Sequence, residues 1–296
     1  MTGPTVHPGT LFVVGTPIGN LDDLSPRAVS TLRDCRVIAA EDTRKTRGLL
    51  TRHAINSRLI SCHRFNESRV AGKILAMLAE GDGVALVTDA GTPGLSDPGA
   101  LLVRRAREAG FEVRPVPGAS AVTALMSVCG FPAGPFTFVG FLPARQGARQ
   151  RMLEQLRDET RPLLFFESSR RIQAMLADAQ AILGDREVCL GREMTKLHEE
   201  FLTGTLSRIG DLLAERLLKG EISLVIAGQD PDVTAERARN DTSGESPGNA
   251  VLRHIDSGVT RKEAIRQVCR QFGLPRREVY RDLVRVRGIP SEDENG

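Results

Sequence analysis

The stretch that decides the fold runs Val84-Ala85-Leu86-Val87-Thr88-Asp89-Ala90-Gly91-Thr92-Pro93-Gly94-Leu95-Ser96-Asp97-Pro98-Gly99. Its apolar beginning predicts a buried strand that runs straight into a loop. The loop is eleven residues long and contains three glycines and two prolines, whereas a connection from a strand to a helix usually has about two to six residues. Ligands of open α/β sheets bind at the carboxyl ends of the strands, so we expect residues 89–99 to form a binding loop.

Apolar strands and amphipathic helices alternate on both sides of this stretch. Four further strands are predicted from short apolar runs, at Leu11–Val14, Arg36–Ala40, Arg58–Cys62 and Phe111–Val116. Helices are predicted from Ser25-Pro26 onwards and at Glu67–Glu80, Leu101–Ala109 and Ala121–Val128. Such regular alternation indicates a mainly parallel sheet, so residues 1–130 are expected to form an α/β domain.

A second α/β domain is expected at residues 136–229, after a junction at 131–135 that is rich in proline and glycine. Its strands are predicted at Phe136–Phe141, Leu163–Phe166, Val188–Leu190 and Ile222–Ala227. Charged helices separate them, at Gln150–Arg157, Arg171–Leu183 and Ile209–Leu218. The predicted fold class is therefore α/β, with two α/β domains followed by a small C-terminal helical unit.

The C-terminal unit is expected at residues 250–290, after a polar, flexible linker at 230–249. Three amphipathic helices are predicted in it, at Ala250–Asp256, Arg261–Phe272 and Arg276–Val286. Residues 250–290 carry ten Lys/Arg and four Asp/Glu, a net charge of +6, which leaves −3 for the rest of the chain. A compact basic segment suits contact with a phosphate backbone, although a solvated helical face has the same composition. The short helices fit either a helix-turn-helix unit or a plain helical hairpin.

Composition narrows the class of protein and its compartment. No apolar run approaches the roughly 18 residues needed to cross a bilayer, and the N-terminal residues lack the basic and apolar regions of a signal peptide. We therefore expect a cytoplasmic protein that does not enter a membrane. The five cysteines are odd in number and dispersed, which indicates reduced thiols. No metal site is expected, because the histidines and cysteines lack the spacing of metal ligands.

Several common nucleotide-binding and hydrolase motifs are missing from the sequence. No Gly-x-Gly-x-x-Gly follows the first strand and no P-loop occurs, and no serine or cysteine lies in the context of a nucleophile elbow. Four loops at predicted strand ends remain, at Gly15–Asn20, Glu41–Arg44, Asp89–Gly99 and Pro117–Ser120. Such loops can wrap a compact polar cofactor with backbone groups and leave charged side chains for a second substrate.

These loops also carry motifs that occur together, in fixed order, in a known family. They are Gly15-Thr16-Pro17-Ile18-Gly19-Asn20, Glu41-Asp42-Thr43-Arg44, the 89–99 loop, Pro117-Gly118-Ala119-Ser120 and Gly140-Phe141-Leu142-Pro143. In them the chain resembles the tetrapyrrole methylase superfamily, and Phe165–Ile172 and Arg192–Lys196 are similar to its branch that methylates small-subunit ribosomal RNA. The resemblance implies a homodimer that uses S-adenosylmethionine to methylate the 2′-hydroxyl of a cytidine in the decoding region of 16S rRNA.

The resemblance also implies which residues bind the methyl donor. These are Pro17, Asp89, Ala90, Gly91, Thr92, Ser96, Asp97, Gly118, Ala119, Ser120 and Leu142. The carboxylates of Asp89 and Asp97 repel an anion but tolerate a sulfonium cation.

A ribose hydroxyl needs help to lose its proton during methyl transfer. The candidate proton acceptors are Asp42, Glu167 and Glu193, of which Asp42 and Glu193 are favoured. Each could instead be an ion-pair partner or a helix N-cap. Cationic side chains that could bind phosphate or lower a neighbouring pKa are Arg44, Arg170 and Lys196.

Two other functions stay open at this point. One is a C-methyltransferase of corrin or porphyrin precursors, which the same superfamily contains, although such an enzyme has no need of a basic helical tail. The other is an RNA-binding assembly factor without enzymatic activity, built on the same α/β scaffold.

Overall fold

A computed structural model describes residues 9–216, 218–231 and 246–286 of the chain. The chain divides into two compact units, residues 1–228 and residues 229–296. Most of the predicted linker at 230–249 lies outside the described residues, as do the N-terminal residues 1–8 and Arg287 of the basic segment.

The first sheet has five strands, all parallel, in the spatial order β3-β2-β4-β1-β5. The strands are β1 Thr10–Val14, β2 Val37–Ala40, β3 Arg58–Ser61, β4 Val84–Val87 and β5 Glu112–Val116. Every residue of β2 and of β4 is buried, as expected for central strands covered by helices on both faces. The predicted parallel sheet is confirmed, with each strand shifted by no more than one residue at either end.

Four α-helices connect these strands and a fifth follows β5, while a short 3-10 helix at Leu21–Asp23 precedes the first of them. They are α1 Pro26–Asp34, α2 Thr43–Arg52, α3 Glu67–Ala79, α4 Ala100–Glu108 and α5 Ala121–Val128. Ser25 caps α1 as its sequence predicts, because its hydroxyl accepts the Ala28 N–H at 3.1 Å. The sequence prediction missed α2 altogether, and it assigned the first residues of that helix to a loop at Glu41–Arg44.

The second sheet also has five strands, in the order β6-β7-β10-β8-β9. They are β6 Thr137–Phe141, β7 Leu163–Ser168, β8 Glu187–Arg192, β9 Glu200–Thr205 and β10 Glu221–Ile226. Only β6 and β7 pair in parallel, and the other three pairings are antiparallel. The edge strand β9 was not predicted from the sequence.

Three helices cover the second sheet, α6 Gln146–Gln155, α7 Ile172–Leu183 and α8 Leu206–Ala214. The predicted α6 and α8 began three or four residues too late. In α6 the reason is an ion pair: Arg149 is buried and contacts the buried Asp178 of α7 at 2.6 Å. Gln150 also donates to Asp178, at 2.9 Å, so the polar beginning of α6 faces inward rather than outward.

Helix α5 joins the two sheets. Its side chains Val122 and Leu125 share one apolar cluster with Leu164 of β7 and Val225 of β10. The last helix of the first α/β half therefore packs on the second sheet, and this contact fixes the two halves of residues 1–228 relative to each other.

The described residues 246–286 of the C-terminal unit form three helices, α9 Pro247–Asp256, α10 Arg261–Phe272 and α11 Arg276–Val286. Their apolar faces form a core of their own, which includes Val251, Ile265 and Leu283. The N–H of Gly248 donates to the Asp282 carboxylate at 2.8 Å and ties α9 to α11. The α/β fold class with a helical C-terminal unit is confirmed.

The structure also bears on the cysteines, on membrane-spanning helices and on metal sites. All five cysteines are free thiols, and all but Cys269 are buried. Within the described ranges, no helix combines the length and the apolar character of a membrane-spanning segment. No cluster of His, Cys, Asp or Glu in the same ranges has the arrangement of a metal site.

Candidate active site

A cleft of about 400 Å³ opens at the carboxyl ends of the first-sheet strands. We call it the donor cleft, because residues predicted to bind a methyl donor line it. The loop after β4 and the beginning of α5 form one of its walls. The other wall consists of Phe141 from β6, residues 166–168 from β7 and residues 220–223 at the start of β10. The cleft therefore lies between the two α/β halves, at the sheet edge where ligands of parallel sheets bind.

Backbone hydrogen bonds hold the loop after β4 in place. The Thr16 N–H donates to the Gly91 carbonyl at 2.8 Å, and the Gly91 N–H donates back to the Thr16 carbonyl at 3.1 Å. The loop then turns through positive φ angles at Gly91, Gly94 and Ser96, of 79°, 84° and 67°. Positive φ is costly for a serine, and residues held in this way are often found at ligand sites.

Two glycines come into close contact beside this loop. A Cβ on Gly15 would lie 2.8 Å from the Gly118 nitrogen, and a Cβ on Gly118 would lie 2.7 Å from the Gly15 carbonyl oxygen. Because glycine has no side chain, the backbones that follow β1 and β5 can come into direct contact at these two positions. This contact leads the chain from β5 into Ser120, which lines the donor cleft.

A network of hydrogen bonds links the connections that follow β2 and β4 at the edge of the first sheet. The Thr88 hydroxyl donates to the Glu41 carboxylate at 2.6 Å, while the Asp89 carboxylate accepts from the Lys45 ammonium at 2.7 Å and from the Asp42 N–H at 3.0 Å. The hydrogen bond from Lys45 to Asp89 raises the pKa of Lys45. Lys45 therefore stays positively charged where it lines the cleft.

The donor cleft has more negative than positive charge in its walls. Asp89, Glu167 and Glu221 each pair with a lysine or arginine. In the part of the chain that the structure describes, Glu41 and Asp97 have no such partner. Burial raises the pKa of Asp97 to about 6, and the charge of Glu41 adds to the shift. An unpaired carboxylate pair of this kind favours a positively charged ligand.

Seven of the eleven residues predicted to bind the methyl donor line this cleft. They are Asp89, Ala90, Gly91, Thr92, Ser96, Asp97 and Ser120. The other four lie nearby but outside its lining. Pro17 lines an adjacent cavity, Gly118 and Ala119 belong to the backbone that leads to Ser120, and the Leu142 side chain is buried in the core of the second half.

The adjacent cavity, called the second cavity below, has a volume of about 430 Å³. It shares Ile18, Lys45, Asp89, Ala90 and Glu221 with the donor cleft and extends along the 16–21 loop and α2. The two spaces are therefore contiguous.

Two of the predicted catalytic residues form an ion pair beside the second cavity, which Lys196 lines and Glu193 does not. The Lys196 ammonium lies 2.9 Å from the Glu193 carboxylate and 3.0 Å from the Glu221 carboxylate. Burial acts to raise the pKa of Glu193, but hydrogen bonds from the Glu221 N–H and from Lys196 outweigh it, so the net pKa lies below its ordinary value. Burial acts to lower the pKa of Lys196, but its two carboxylate partners raise it overall. Both side chains are therefore ionised.

The other three predicted catalytic residues lie apart from this pair. Glu167 is buried, lines the donor cleft and accepts from Arg171 at 2.7 Å. Asp42 caps α2 by accepting the Arg44 N–H at 2.8 Å and also pairs with the Arg44 guanidinium at 2.7 Å. Neither Asp42 nor Arg44 lines either space.

Sequence reasoning missed three charged residues of these walls. Glu41 belongs to a motif that was singled out, but its neighbour Asp42 was chosen instead. Lys45 follows the same motif and was overlooked together with helix α2. Glu221 begins β10 and belongs to no motif, so only the pairing of β10 with β7 and β8 reveals its place.

The chain belongs to the tetrapyrrole (corrin/porphyrin) methylase family, whose family model matches residues 10–210. Among its relatives, ribosomal RNA small subunit methyltransferase I of Halalkalibacterium halodurans is 41% identical over 272 residues, which cover 92% of this chain and 93% of that protein. The protein of that name from Xylella fastidiosa strain Temecula1 is 42% identical over 276 residues, or 92% of this chain and 98% of that protein. That from Thermotoga maritima is 46% identical over 222 residues, which cover 75% of this chain and all of the relative.

Solved structures support the fold independently of close sequence similarity. Uroporphyrin-III-C-methyltransferase from Thermus thermophilus superposes with a TM-score of 0.54 at 18% identity, covering 74% of this chain and 94% of that one. A cobalt precorrin-4 methyltransferase gives 0.55 at 16% identity, covering 74% and 95%. At this level of identity the likeness concerns the fold alone.

Proposed function

We propose that the chain transfers a methyl group from S-adenosylmethionine to the ribose 2′-hydroxyl of a cytidine in the decoding region of 16S rRNA. The observation that carries the proposal is the identity of 41% and 42% to ribosomal RNA small subunit methyltransferases over 92% of the chain. This relationship favours ribosomal RNA over a corrin or porphyrin precursor as the substrate. The choice of cytidine and of its 2′-hydroxyl rests on the motifs at Phe165–Ile172 and Arg192–Lys196.

The donor cleft suits S-adenosylmethionine in size and charge. Its volume of about 400 Å³ falls within the roughly 300–1,000 Å³ of small-molecule sites. When bound, this donor supplies a methyl group carried by a positively charged sulfur. The carboxylates of Glu41 and Asp97 favour that charge, while Phe141 and Phe166 offer apolar surface to the rest of the molecule.

Glu193 is the proton acceptor that we favour. Its lowered pKa keeps it ionised, and its carboxylate is fixed by Lys196 and by the Glu221 N–H at 3.0 Å. Lys196 faces the second cavity, where a protonated amine can bind a phosphate of the acceptor strand. Asp42, with Arg44, and Glu167 remain the alternative candidates for handling the proton and the phosphate.

A matched pair of variants tests the role of Glu193. Glu193→Gln keeps the shape of the side chain but cannot take up a proton, so single-turnover methyl transfer should fall by about 10²–10⁴-fold. The affinity for S-adenosylmethionine should stay unchanged, because Glu193 does not line the donor cleft. Transfer at the wild-type rate by Glu193→Gln would rule this residue out as the proton acceptor, and Glu167→Gln would be examined next.

We also propose that the basic C-terminal unit contacts RNA and that the enzyme works as a homodimer in the cytoplasm, where small subunits assemble. Light scattering of the purified chain tests the dimer, and a monomer mass at micromolar concentration would contradict it. The contact with RNA is tested through its salt dependence, as described in the Discussion.

The decisive test of the reaction uses the natural substrate. Small ribosomal subunits that lack the modification are incubated with the enzyme and methyl-labelled S-adenosylmethionine, and the labelled nucleotide is then mapped. We expect a single 2′-O-methylated cytidine in 16S rRNA, with no label in large subunits as the control. Label on a base carbon or nitrogen, or transfer only to a porphyrin precursor, would contradict the proposed function.

A further inference from the structure

Phe65 is the most exposed large apolar residue in the described part of the chain, with 94% of its surface accessible. It lies in the connection between β3 and α3, at the carboxyl edge of the first sheet. The Cys62 N–H donates to the Ala40 carbonyl at 2.7 Å, so this connection leaves the sheet directly beside Glu41 of the donor cleft. Single exposed apolar residues are common on protein surfaces, so the case for a ligand at Phe65 rests on its position beside the cleft, on its fixed backbone and on the arginines nearby.

The backbone that carries Phe65 is held rigidly. The N–H groups of Asn66 and Glu67 both donate to the His63 carbonyl at 2.9 Å. The Asn66 side chain accepts the His63 N–H at 2.8 Å and donates to the Ser61 carbonyl at 3.1 Å. Phe65 is therefore presented by a fixed turn, so a ligand that stacks on the ring does not have to order the loop as well.

Three arginines belong to the segment around Phe65 or contact it. Arg64 precedes Phe65, Arg69 lies in the first turn of α3, and neither has a carboxylate partner among the described residues. Arg105 of α4 reaches the same turn, because its guanidinium donates to the Ser68 carbonyl at 2.8 Å. The one acidic residue of the turn, Glu67, is buried and accepts the N–H groups of residues 99 and 102 at 3.1 and 3.0 Å.

We propose that Arg64, Phe65, Arg69 and Arg105, here called the Phe65 surface, bind an unpaired nucleotide of the RNA substrate. The base stacks on Phe65 and the guanidinium groups contact the adjoining phosphates, the combination by which proteins hold single-stranded RNA. Glu67 ties this surface to the end of the loop that forms the donor cleft, so the nucleotide is bound at a fixed distance from the methyl donor. The inference rests on the proposed RNA methyltransferase function.

A fluorescence experiment tests the stacking directly. The chain contains no tryptophan, so Phe65→Trp places a single indole on the Phe65 surface. Its emission should be quenched when the full-length protein is titrated with an unstructured oligouridine RNA, because the base stacks on the ring. Leu212→Trp, on the exposed side of α8, is the matched control and should show no quenching.

Kinetics with small subunits supply the second test. Phe65→Ala removes one stacking contact and should raise the KM for subunits about tenfold, with kcat and the affinity for S-adenosylmethionine unchanged. Phe65→Trp should restore the wild-type KM. An unchanged KM in Phe65→Ala, or equal quenching at positions 65 and 212, would overturn the inference.

Loss of a dimer in Phe65→Ala would also overturn it, because the surface would then be a contact between subunits. In each of these cases the wild-type chain still methylates small subunits. Failure of the wild-type chain to do so would instead contradict the proposed function itself.

Discussion

Among single residues, Asp42 has a carboxylate with two candidate roles, as the cap of α2 and as a proton acceptor. It caps α2 and pairs with the Arg44 guanidinium, and hydrogen bonds from the Arg44 side chain and backbone hold the pKa of Asp42 below its usual range. Both of its oxygens accept hydrogen bonds from the Arg44 guanidinium, at 3.1 and 2.7 Å, so neither is free to receive a proton from a substrate. Its main effect on catalysis is therefore expected to come through α2, whose first turn carries Lys45 into both cavities.

Two substitutions separate these roles. Asp42→Ala removes the cap, which should lower the free energy of unfolding by about 1 kcal/mol and abolish methyl transfer by displacing Lys45, with binding of S-adenosylmethionine retained. Asp42→Asn keeps an oxygen for the cap and should retain most activity. Thermal unfolding and single-turnover rates measure both effects. An inactive but fully stable Asp42→Asn would instead identify Asp42 as the proton acceptor.

The raised pKa of Asp97 predicts opposite effects of pH on the stability of the fold and on the affinity for the methyl donor. Burial raises its pKa from 3.8 to about 6, so its contribution to stability is complete below about pH 4 and is lost as the pH rises through 6. Without ligand, the free energy of unfolding from this group should thus decrease between pH 5 and pH 7. The affinity for the sulfonium should increase about tenfold over that interval, because the carboxylate ionises.

Calorimetry and thermal unfolding at several pH values measure these two trends. Asp97→Asn is the control, since it should remove both of them while keeping the size of the side chain. An affinity for S-adenosylmethionine that is the same at pH 5 and pH 7 in the wild-type chain would contradict the assigned role of Asp97.

Among the helices and strands, those with clear end signals or a clear apolar pattern were predicted from the sequence, and those without such signals were missed. Helix α10 begins after Thr260 and ends at Gly273, which adopts the left-handed conformation typical of a helix end, so its bounds were predicted correctly. Helix α2 buries only Thr46, Leu49 and Leu50 and therefore lacks a clear apolar stripe. The strand β9 is at a sheet edge and largely accessible, which removes the hydrophobic signal of a strand.

The candidate site shows the same limits. The loop after β4 was predictable because its glycines, prolines and carboxylates are contiguous in sequence. Glu221 was not, because its place depends on antiparallel pairing with strands some thirty to sixty residues away. Long-range pairing carries no local signal, so charged residues that arrive at a site in this way are found only with the structure.

Helix α11 presents a row of exposed arginines. Arg277, Arg281 and Arg285 are exposed and recur every four residues, opposite the buried Val279 and Leu283. Such a row can bind successive phosphates of an RNA strand. Replacing all three arginines with alanine should therefore weaken the salt dependence of subunit binding. The slope of log binding constant against log salt concentration should fall by about 0.7–0.9 for each phosphate contact that is lost. Filter binding at several salt concentrations measures the slope. An unchanged slope would exclude this helix from RNA contact.

At the scale of the whole molecule, both walls of the donor cleft belong to the unit of residues 1–228, and α5 packs on the second sheet. A ligand that bridges the two walls should therefore stabilise both halves together. At a concentration of S-adenosylmethionine about 100 times its Kd, the gain is about 2.7 kcal/mol, which should raise the Tm by roughly 5–10 °C. Differential scanning calorimetry measures the shift.

S-adenosylhomocysteine is the matched control for this experiment, because it lacks the sulfonium charge. At the same concentration it should raise the Tm less, since Glu41 and Asp97 no longer have a cation to stabilise. Equal shifts with the two ligands would show that charge contributes little to donor binding.

The contact between Gly15 and Gly118 fixes the backbone that leads into Ser120, and it therefore limits how that side of the donor cleft could be redesigned for synthetic donors with larger transferable groups. A Cβ at either position would lie only 2.7–2.8 Å from the opposite backbone, so neither glycine can be substituted to move this backbone. The opposite wall includes the side chains of Phe141 and Phe166, whose rings are arranged edge to face with their centroids 5.6 Å apart. Replacing Phe141 with a smaller residue is therefore the route by which a bulkier alkyl donor would gain space.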